Sequence, residues 1–152
     1  MHPDVEIRPA TPADTAAVRD IVTRAYAGYI DTIGRRPVPM DADYDAAVRD
    51  GTVFVLERGG IAGLVVLVLE SGELLIENVA VDPDRQHEGL GRALLSFAES
   101  YAREHGCRAV RLYTHRAMTR NQEIYARFGY VREPAPPGDA TPRVFMVKRL
   151  SS

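Results

Sequence analysis

Val79-Ala80-Val81-Asp82-Pro83-Asp84-Arg85-Gln86-His87-Glu88-Gly89-Leu90-Gly91-Arg92-Ala93-Leu94-Leu95 is the stretch on which the reading of this chain turns. It runs from an apolar strand end, through a polar turn and a Gly-Leu-Gly triplet, into a helix with Leu90, Leu94, Leu95 and Phe97 on one face. Such a junction presents backbone N–H groups at a helix N-terminus. Those unpaired donors, with the positive end of the helix dipole, suit a phosphate. Gly89 and Gly91 allow positive φ and let a ligand approach the backbone closely. Arg85, His87 and Arg92 add donors or positive charge. The stretch is read as the pyrophosphate cradle of a nucleotide-containing cofactor.

The whole chain narrows the class. Its 152 residues suit one domain spanning 1–152, long enough for a sizeable core. A hydrophobic share of 45% and a charged share of 26% fit a globular protein in water. The net charge of −2 argues against a nucleic-acid binder that relies on a broad basic surface. The lone Cys107 rules out an internal disulfide, so a reducing compartment is expected, with a small core residue as its role. Met1-His2-Pro3-Asp4 is not a basic-then-apolar leader, and the apolar run 61–69 is too short to cross a bilayer as a helix. A cytoplasmic protein with neither membrane nor nucleic acid as partner is expected. No His/Cys/Asp spacing suggests a metal site.

Outward from the cradle, the pattern alternates strands and helices. Val5-Glu6-Ile7-Arg8 alternates as a first strand. Thr11-Pro12-Ala13-Asp14 supplies an N-cap, a proline at the first helical position and an acid for the N-terminus. The helix then runs through Val18, Ile21, Val22 and Ala25 to Tyr26 and fades near Gly28. Segment 30–43 reads as a loop broken by Gly34, Pro37 and Pro39, before a short helix over 44–48 capped by Asp41 or Asp43. Strands follow at 52–56, 61–69 and 73–81, turned by Gly59-Gly60 and Ser71-Gly72. The 61–69 strand is apolar throughout, which predicts cover on both faces. A helix over 89–104 ends at Gly106, and 108–114 alternates as a strand. Thr119-Arg120-Asn121-Gln122 has the form of a capping box for a helix to 128. Strands begin at Tyr130 and at Val144, with a Pro- and Gly-rich loop over 134–142. The order is β-α-α-β-β-β-α-β-α-β-β, an α/β fold with a mixed sheet.

Gln86-His87-Glu88-Gly89-Leu90-Gly91 resembles the Gln/Arg-x-x-Gly-x-Gly/Ala signature of the GCN5-related N-acetyltransferases (GNAT). Its context is similar too, joining a Val-Ala-Val strand to a long helix. Downstream, Ile124-Tyr125-Ala126-Arg127-Phe128-Gly129-Tyr130 resembles the family's Leu-Tyr-x-x-x-Gly-Phe element. A Gly-x-Gly turn alone also suits a dinucleotide site. Here it follows an antiparallel hairpin pair, and no repeating βαβ unit surrounds it.

The resemblance implies a single-domain, mostly antiparallel sheet with a V-shaped splay between parallel strands 73–81 and 108–114. It implies acetyl-CoA as cosubstrate, and direct acetyl transfer in a ternary complex to a primary amine of a small molecule or peptide. No metal takes part, and members often dimerise. Backbone N–H groups of Gln86, His87, Glu88, Gly89, Leu90, Gly91 and Arg92 would hold the pyrophosphate. Val79, Ala80 and Val81 would bond the pantetheine arm like an added strand, with the Val81 N–H polarising the thioester carbonyl.

The chemistry assigns further roles. An amine with a pKa near ~10.4 must lose a proton before it attacks. Tyr125, with an ordinary pKa near ~10, is the candidate general acid for the leaving sulfur, against the alternative of a helix aromatic packed beside Phe128. Glu77 is the candidate base, directly or through water. On a regular strand it shares a face with Val79 and Val81, although a β-bulge, which this strand of the family sometimes carries, would change the parity. Its alternative is a solvated strand carboxylate, and Glu73 is the next choice. Many members carry an asparagine seven residues before the tyrosine. That position is Met118 here, and Asn121 is expected to contact the cofactor or to support the capping box. His115 is a minor candidate base. Tyr26, Tyr29, Arg35 and Met40 are candidates for acceptor binding, in a segment that also holds Ile30, Arg36, Pro37 and Tyr44. Its aromatic and arginine content suggests a ligand with an apolar part and an acid group. A non-catalytic acetyl-CoA-binding module is the alternative function, and a toxin acetylating aminoacyl-tRNA is a third that the acidic net charge disfavours.

Overall fold

Alternating strands joined by tight turns build the sheet. The computed structural model describes residues 5–34, 37–86 and 88–150. Its strands are β1 (Glu6–Pro9), β2 (Val53–Glu57), β3 (Ile61–Glu70), β4 (Glu73–Val81), β5 (Ala109–His115), β6 (Val131–Glu133) and β7 (Arg143–Arg149). The helices are α1 (Thr15–Ala27), α2 (Ile30–Ile33), α3 (Tyr44–Arg49), α4 (Leu90–Glu104) and α5 (Thr119–Arg127). The strands form one seven-stranded sheet in the order β1-β2-β3-β4-β5-β7-β6. Only β4 and β5 pair in parallel, across the crossover helix α4. Ser71 and Gly72, at φ 50° and 79°, close the β3–β4 hairpin with consecutive left-handed residues, the geometry that matches strand twist.

Alternation then sorts side chains into two cores. Phe54, Leu56, Val65, Leu67, Leu74 and Ile76 pack against α4 through Leu90, Leu94, Leu95 and Ala98. Val53, Val55, Leu64, Val66 and Ala80 pack against Val18, Ile21, Val22, Tyr44 and Val48 of α1 and α3. On α4 the spacing i, i+4, i+5, i+8 is the apolar stripe of an amphipathic helix. Burial of each leucine is worth about 1.5–3 kcal/mol, and together they fix the start of α4 on the sheet. The expected double cover of β3 holds from Ala62 to Leu67, while Leu69 is 46% exposed.

Two departures from regular pairing make the site. First, β4 and β5 pair only at Leu74↔Val110, Leu75↔Arg111 and Ile76↔Leu112. Beyond that point β4 continues along β3 to Val81↔Gly63, and β5 along β7 to His115↔Arg143, so the two strands part in a V. Arg111 clamps the closed end, donating to Glu73 at 2.6 Å and to Glu133. Second, the β3–β4 register jumps from Val66↔Asn78 to Leu67↔Ile76, leaving Glu77 as the extra residue of a β-bulge.

Local chemistry corrects two expectations, over segment 30–43 and at Thr119, and keeps Thr11 as the N-cap with Pro12 at the first position and Asp14 in the first turn. Segment 30–43 is not a plain loop: it holds α2 and a 3-10 turn over Val38–Asp41. A 3-10 turn over Pro12–Asp14 precedes α1, and the Asp14 carboxylate accepts from the Thr11 N–H at 2.8 Å and from Arg8 at 2.7 Å. The capping box at Thr119 does not form, because Met118 occupies the N-cap. Buried Gln122 instead reaches back to the carbonyls of His115 and Arg116, at 3.3 and 3.1 Å, in the turn before α5, where the His115 carbonyl also accepts from the Met118 N–H at 2.9 Å. The short helix α3 is capped as expected, Asp43 accepting from the Ala46 N–H at 3.0 Å. Among the described residues, no helix is long and apolar enough to cross a membrane.

Candidate active site

The V between β4 and β5 opens into a cavity of about 380 Å³. Its walls are the end of β4 (Val79, Ala80, Val81), the turn and start of α4 (Gln86, Gly89, Leu90, Gly91, Arg92), Tyr26 and Tyr29 near α1, and Asn121 and Tyr125 of α5. Gly89 caps α4 at φ 78°, where an L side chain is strained. The first bond at this end of the helix runs from the Ala93 N–H to the Gly89 carbonyl at 3.1 Å, so the N–H groups of Leu90, Gly91 and Arg92 lie outside the helical ladder. Gly91 does not use its freedom at positive φ, as it lies within α4. It contributes space: a Cβ there would stand 3.9 Å from Val81 Cγ2, on the cavity wall.

The β4 edge adds donors to the same cavity. The Asp82 N–H donates to the Ala62 carbonyl of β3 at 2.8 Å. Successive residues of a strand direct their N–H groups to opposite edges, so those of Val81 and Val79 point away from β3, into the V. The turn is tied down from outside. Asp82 accepts both Arg24 nitrogens, at 2.7 and 3.1 Å, and the Asp84 N–H at 2.9 Å; Arg24 holds its carboxyl below the usual carboxylate range. Arg85 donates to the Arg58 carbonyl. The Glu88 side chain stays out of the cavity wall and pairs with Arg58 at 3.4 Å and Arg85 at 3.5 Å. His87 lies outside the described residues.

A second cavity, of about 100 Å³, adjoins the first. Glu77, Asn78, Tyr113, His115 and Arg143 line one part of it, and Ile33, Pro37, Val38 and Pro39 another. The two cavities share Tyr26, Val79, Met118, Asn121 and Tyr125. Tyr125 is therefore at the junction. It is 8% exposed and packs edge-to-face on Tyr130, with centroids 6.2 Å apart. Burial, helped by nearby Tyr29, pushes its hydroxyl pKa well above the ordinary tyrosine value.

A hydrogen-bonded chain crosses the back of this junction. The Pro39 carbonyl can only accept, so the Tyr44 hydroxyl donates to it, at 2.7 Å. Tyr44 then accepts from Asn78 Nδ2 at 3.0 Å, which turns Asn78 Oδ1 to accept from the Tyr26 hydroxyl at 2.6 Å. The chain fixes the Asn78 amide orientation and ties β4, α1, α3 and the 37–41 turn into one wall. Burial raises the Tyr44 hydroxyl to about 12 and also holds that of Tyr26 well above its ordinary value.

The site residues expected from the sequence divide accordingly. Gln86, Gly89, Leu90, Gly91, Arg92, Val79, Ala80, Val81 and Asn121 meet in the first cavity. Glu77 lines the second cavity but does not share a face with Val79 and Val81, because the bulge shifts parity. Ile76 and Val79, three apart, both pack toward α4, while Glu77 is exposed. Glu73 is excluded as a base: Arg111 and Arg108 pair with it at the closed end of the V, and Arg111 lowers its pKa. Tyr26 borders both cavities, but Tyr29 borders only the first. Met40 lines neither; it is half-buried in the Val38–Asp41 turn, against the α1 core. Arg35, like Arg36, lies outside the described residues. His115 lines the second cavity, its Nδ1 accepting from the Ala117 N–H at 3.0 Å. Asn78, Tyr113 and Arg143 were not expected. Asn78 had a signal: a polar amide between apolar runs, in Leu74-Leu75-Ile76-Glu77-Asn78-Val79-Ala80-Val81, interrupts the strand's alternation. Among the described residues, no group of three or more His, Cys, Asp or Glu side chains is placed to hold a metal.

Comparison with known proteins places this geometry. A family model described as "Acetyltransferase (GNAT) family" matches residues 16–130. A 63-residue stretch, 41% of this chain, is 41% identical to the mycothiol acetyltransferase of Cellulomonas flavigena. The match spans 18% of that relative's length. Among solved structures, the chain resembles the PaiA N-acetyltransferase of Thermoplasma acidophilum in complex with coenzyme A, with a TM-score of 0.76 and 16% identity over 96% of this chain and 99% of the other. It also resembles the ribosomal-protein-S18-alanine N-acetyltransferase of Escherichia coli, with a TM-score of 0.75 and 23% identity over 97% and 95% of the two chains.

Proposed function

The chain belongs to the acetyltransferase (GNAT) family, whose cosubstrate is acetyl-CoA, and from that premise we propose that it moves an acetyl group directly to a primary amine of a small molecule or peptide in a ternary complex. The observation that carries the proposal is the meeting of two cavities at Tyr125, where the parted edge of β4 supplies amide donors. One cavity suits a phosphate-bearing cosubstrate, since it holds an open helix N-terminus, Arg92 and the space left by Gly91. The other suits the amine, with a carboxylate at its wall.

Acetyl-CoA, when bound, supplies the activated thioester. The N–H groups of Leu90, Gly91 and Arg92 hold its pyrophosphate, and the outward amides of Val79 and Val81 hold its arm. The Val81 N–H faces the carbonyl oxygen as that oxygen gains charge, and a fixed donor there costs no reorganisation. Glu77 pairs with the incoming ammonium and takes its proton through water, so the neutral amine forms the new N–C bond as the C–S bond breaks. Tyr125 gives the departing sulfur its proton and is reprotonated, through water, by the proton that the acylated nitrogen sheds. Its raised pKa keeps that proton in place across the working range, which suits a donor and excludes a base.

The test follows free thiol release from acetyl-CoA with a panel of amines. Amine-dependent release supports the proposal. Acetyl-CoA binding with no turnover across polyamines, amino acids, aminoglycosides and peptides overturns it in favour of a non-catalytic binding module.

A further inference from the structure

The acceptor cavity carries a fixed cation that acetyl transfer itself does not use. Arg143, the first residue of β7, pairs across the sheet with His115 at the open end of the V. Its guanidinium carbon lies 4.4 Å from the Tyr113 ring centroid and 5.0 Å from that of Phe145. Its Nε donates to the Thr141 hydroxyl at 2.8 Å, and its Nη2 lies 3.4 Å from Asp139. The Asp139 carboxylate is already served by the Thr141 N–H at 2.8 Å, which leaves the Arg143 contact as the longer one. A guanidinium offers five N–H donors in a planar fork. This one is flanked by two rings and tied through Nε to Thr141, so little side-chain freedom remains to be lost when a ligand binds.

Resting on the proposed transfer to an amine, we infer that the acceptor is a small amine that also bears a carboxylate, with Arg143 holding the carboxylate and Glu77 the ammonium. Both residues line the same cavity, which therefore presents opposite charges to one ligand. Ile33, Pro37, Val38 and Pro39 make one part of the wall apolar, and Val38 there is 80% exposed, a surface for the acceptor's hydrocarbon part. A polyamine is disfavoured, because its second ammonium would meet Arg143 in a partly desolvated pocket, where like charges repel more strongly than in water. An amino acid or a related amino acid analogue satisfies all of these contacts.

The experiment compares kcat/KM for matched pairs of acceptors, each an amino acid and its carboxamide, in wild type, Arg143→Gln and Arg143→Lys. Differences in amine basicity cancel when the acid-to-amide ratio is compared between variants. Wild type is expected to favour the acid, and Arg143→Gln to reduce that ratio about ten- to a hundredfold, the scale of a lost charge-assisted bond. Arg143→Lys keeps the charge without the fork and is expected to retain part of the ratio. Retained acetyl-CoA binding establishes that a variant has folded, and if Arg143→Gln has not, the lysine variant decides. Wild type without preference for acids, or an unchanged ratio in the folded variants, overturns the inference while leaving the transferase reading intact. If wild type acetylates neither member of any pair nor any other amine, the transferase reading falls, and this one with it.

Discussion

Replacing Asn78 with leucine tests the wall behind the junction. Leucine keeps the branch at Cγ and removes both polar atoms. Tyr44 loses an incoming bond but still donates to Pro39, so its hydroxyl is not stranded. Tyr26 loses the acceptor at 2.6 Å. Its hydroxyl borders both cavities, where water can partly replace the amide, so the penalty belongs at the low end of the scale for an unpaired donor. Two lost bonds at about 1 kcal/mol each, with that penalty, give about 2–3 kcal/mol. For a chain of this size that lowers Tm by about 4–12 °C. Tyr26→Phe removes the donor instead and leaves the buried Asn78 oxygen without a partner. Each single variant loses the Tyr26–Asn78 bond, but the double variant loses it once. Urea denaturation of the four proteins should therefore show the double variant less destabilised than the sum of the singles by about 1–3 kcal/mol. Additivity within about 0.5 kcal/mol would refute the chain as an energetic unit, whatever the distances.

Other outcomes follow from the same geometry. Tyr125→Phe is expected to lower kcat by about 10²–10⁴-fold with little change in the KM for acetyl-CoA, and turnover equal to wild type at every pH would remove Tyr125 from the chemistry. Gly91→Glu, at a helical position with its Cβ clear of close contacts, should fold yet lose acetyl-CoA binding by calorimetry, because its carboxylate enters the phosphate site. Gly89→Ala should instead cost about 1–2 kcal/mol of stability, since alanine must adopt φ near 78°. Arg8 holds the Asp14 carboxyl at about 2 instead of the usual 3.8. A carboxyl lowered on folding stabilises above its unfolded pKa, so roughly 2 kcal/mol should be present at neutral pH and be lost as pH falls from about 4 toward 2. In Arg8→Met that acid slope should flatten, as read by denaturation across pH.

Sequence reading recovered what depends on local pattern. The α4 stripe, the turns at Gly59-Gly60 and Ser71-Gly72, and the glycine at the α4 cap are short-range signals, and each lies where expected. What escaped was decided across the sheet. Thr119 and Gln122 have capping-box spacing, but the carbonyls of His115 and Arg116 compete for the glutamine and win because the site is buried. Arg143 reaches the acceptor cavity only through its pairing with β5, from 28 residues beyond His115 in sequence. Met40 looked like a pocket residue because its segment is rich in aromatics, yet its 3-10 turn directs it to the core.

The bulge at Glu77 explains why the two cavities meet where they do. Continued regularly from Leu74 and Ile76, the alternation would send Asn78 and Ala80 toward α4 and Val79 and Val81 toward α1. Asn78 would then lie among Leu90, Leu94 and Leu95 with no hydrogen-bond partner, a cost of about 1–3 kcal/mol or more for a buried amide. One extra residue exchanges the two faces. Asn78 now meets Tyr26 and Tyr44, and Val79 and Val81 return to the α4 side. The last β4–β5 pair is Ile76↔Leu112, so the strand is released from its parallel neighbour at the step where it bulges. That coincidence opens the β4 edge to an extended ligand, places a carboxylate beside the opening, and anchors the wall behind it. A variant that deletes Glu77 joins Ile76 directly to Asn78 and restores a regular ladder, so Asn78 should still meet Tyr26 and Tyr44 while the bulge and its carboxylate are lost together. Glu77→Gln should keep the bulge and acetyl-CoA binding and lose only acceptor turnover, and a deletion variant whose Asn78–Tyr26 coupling disappears would refute this account of the bulge.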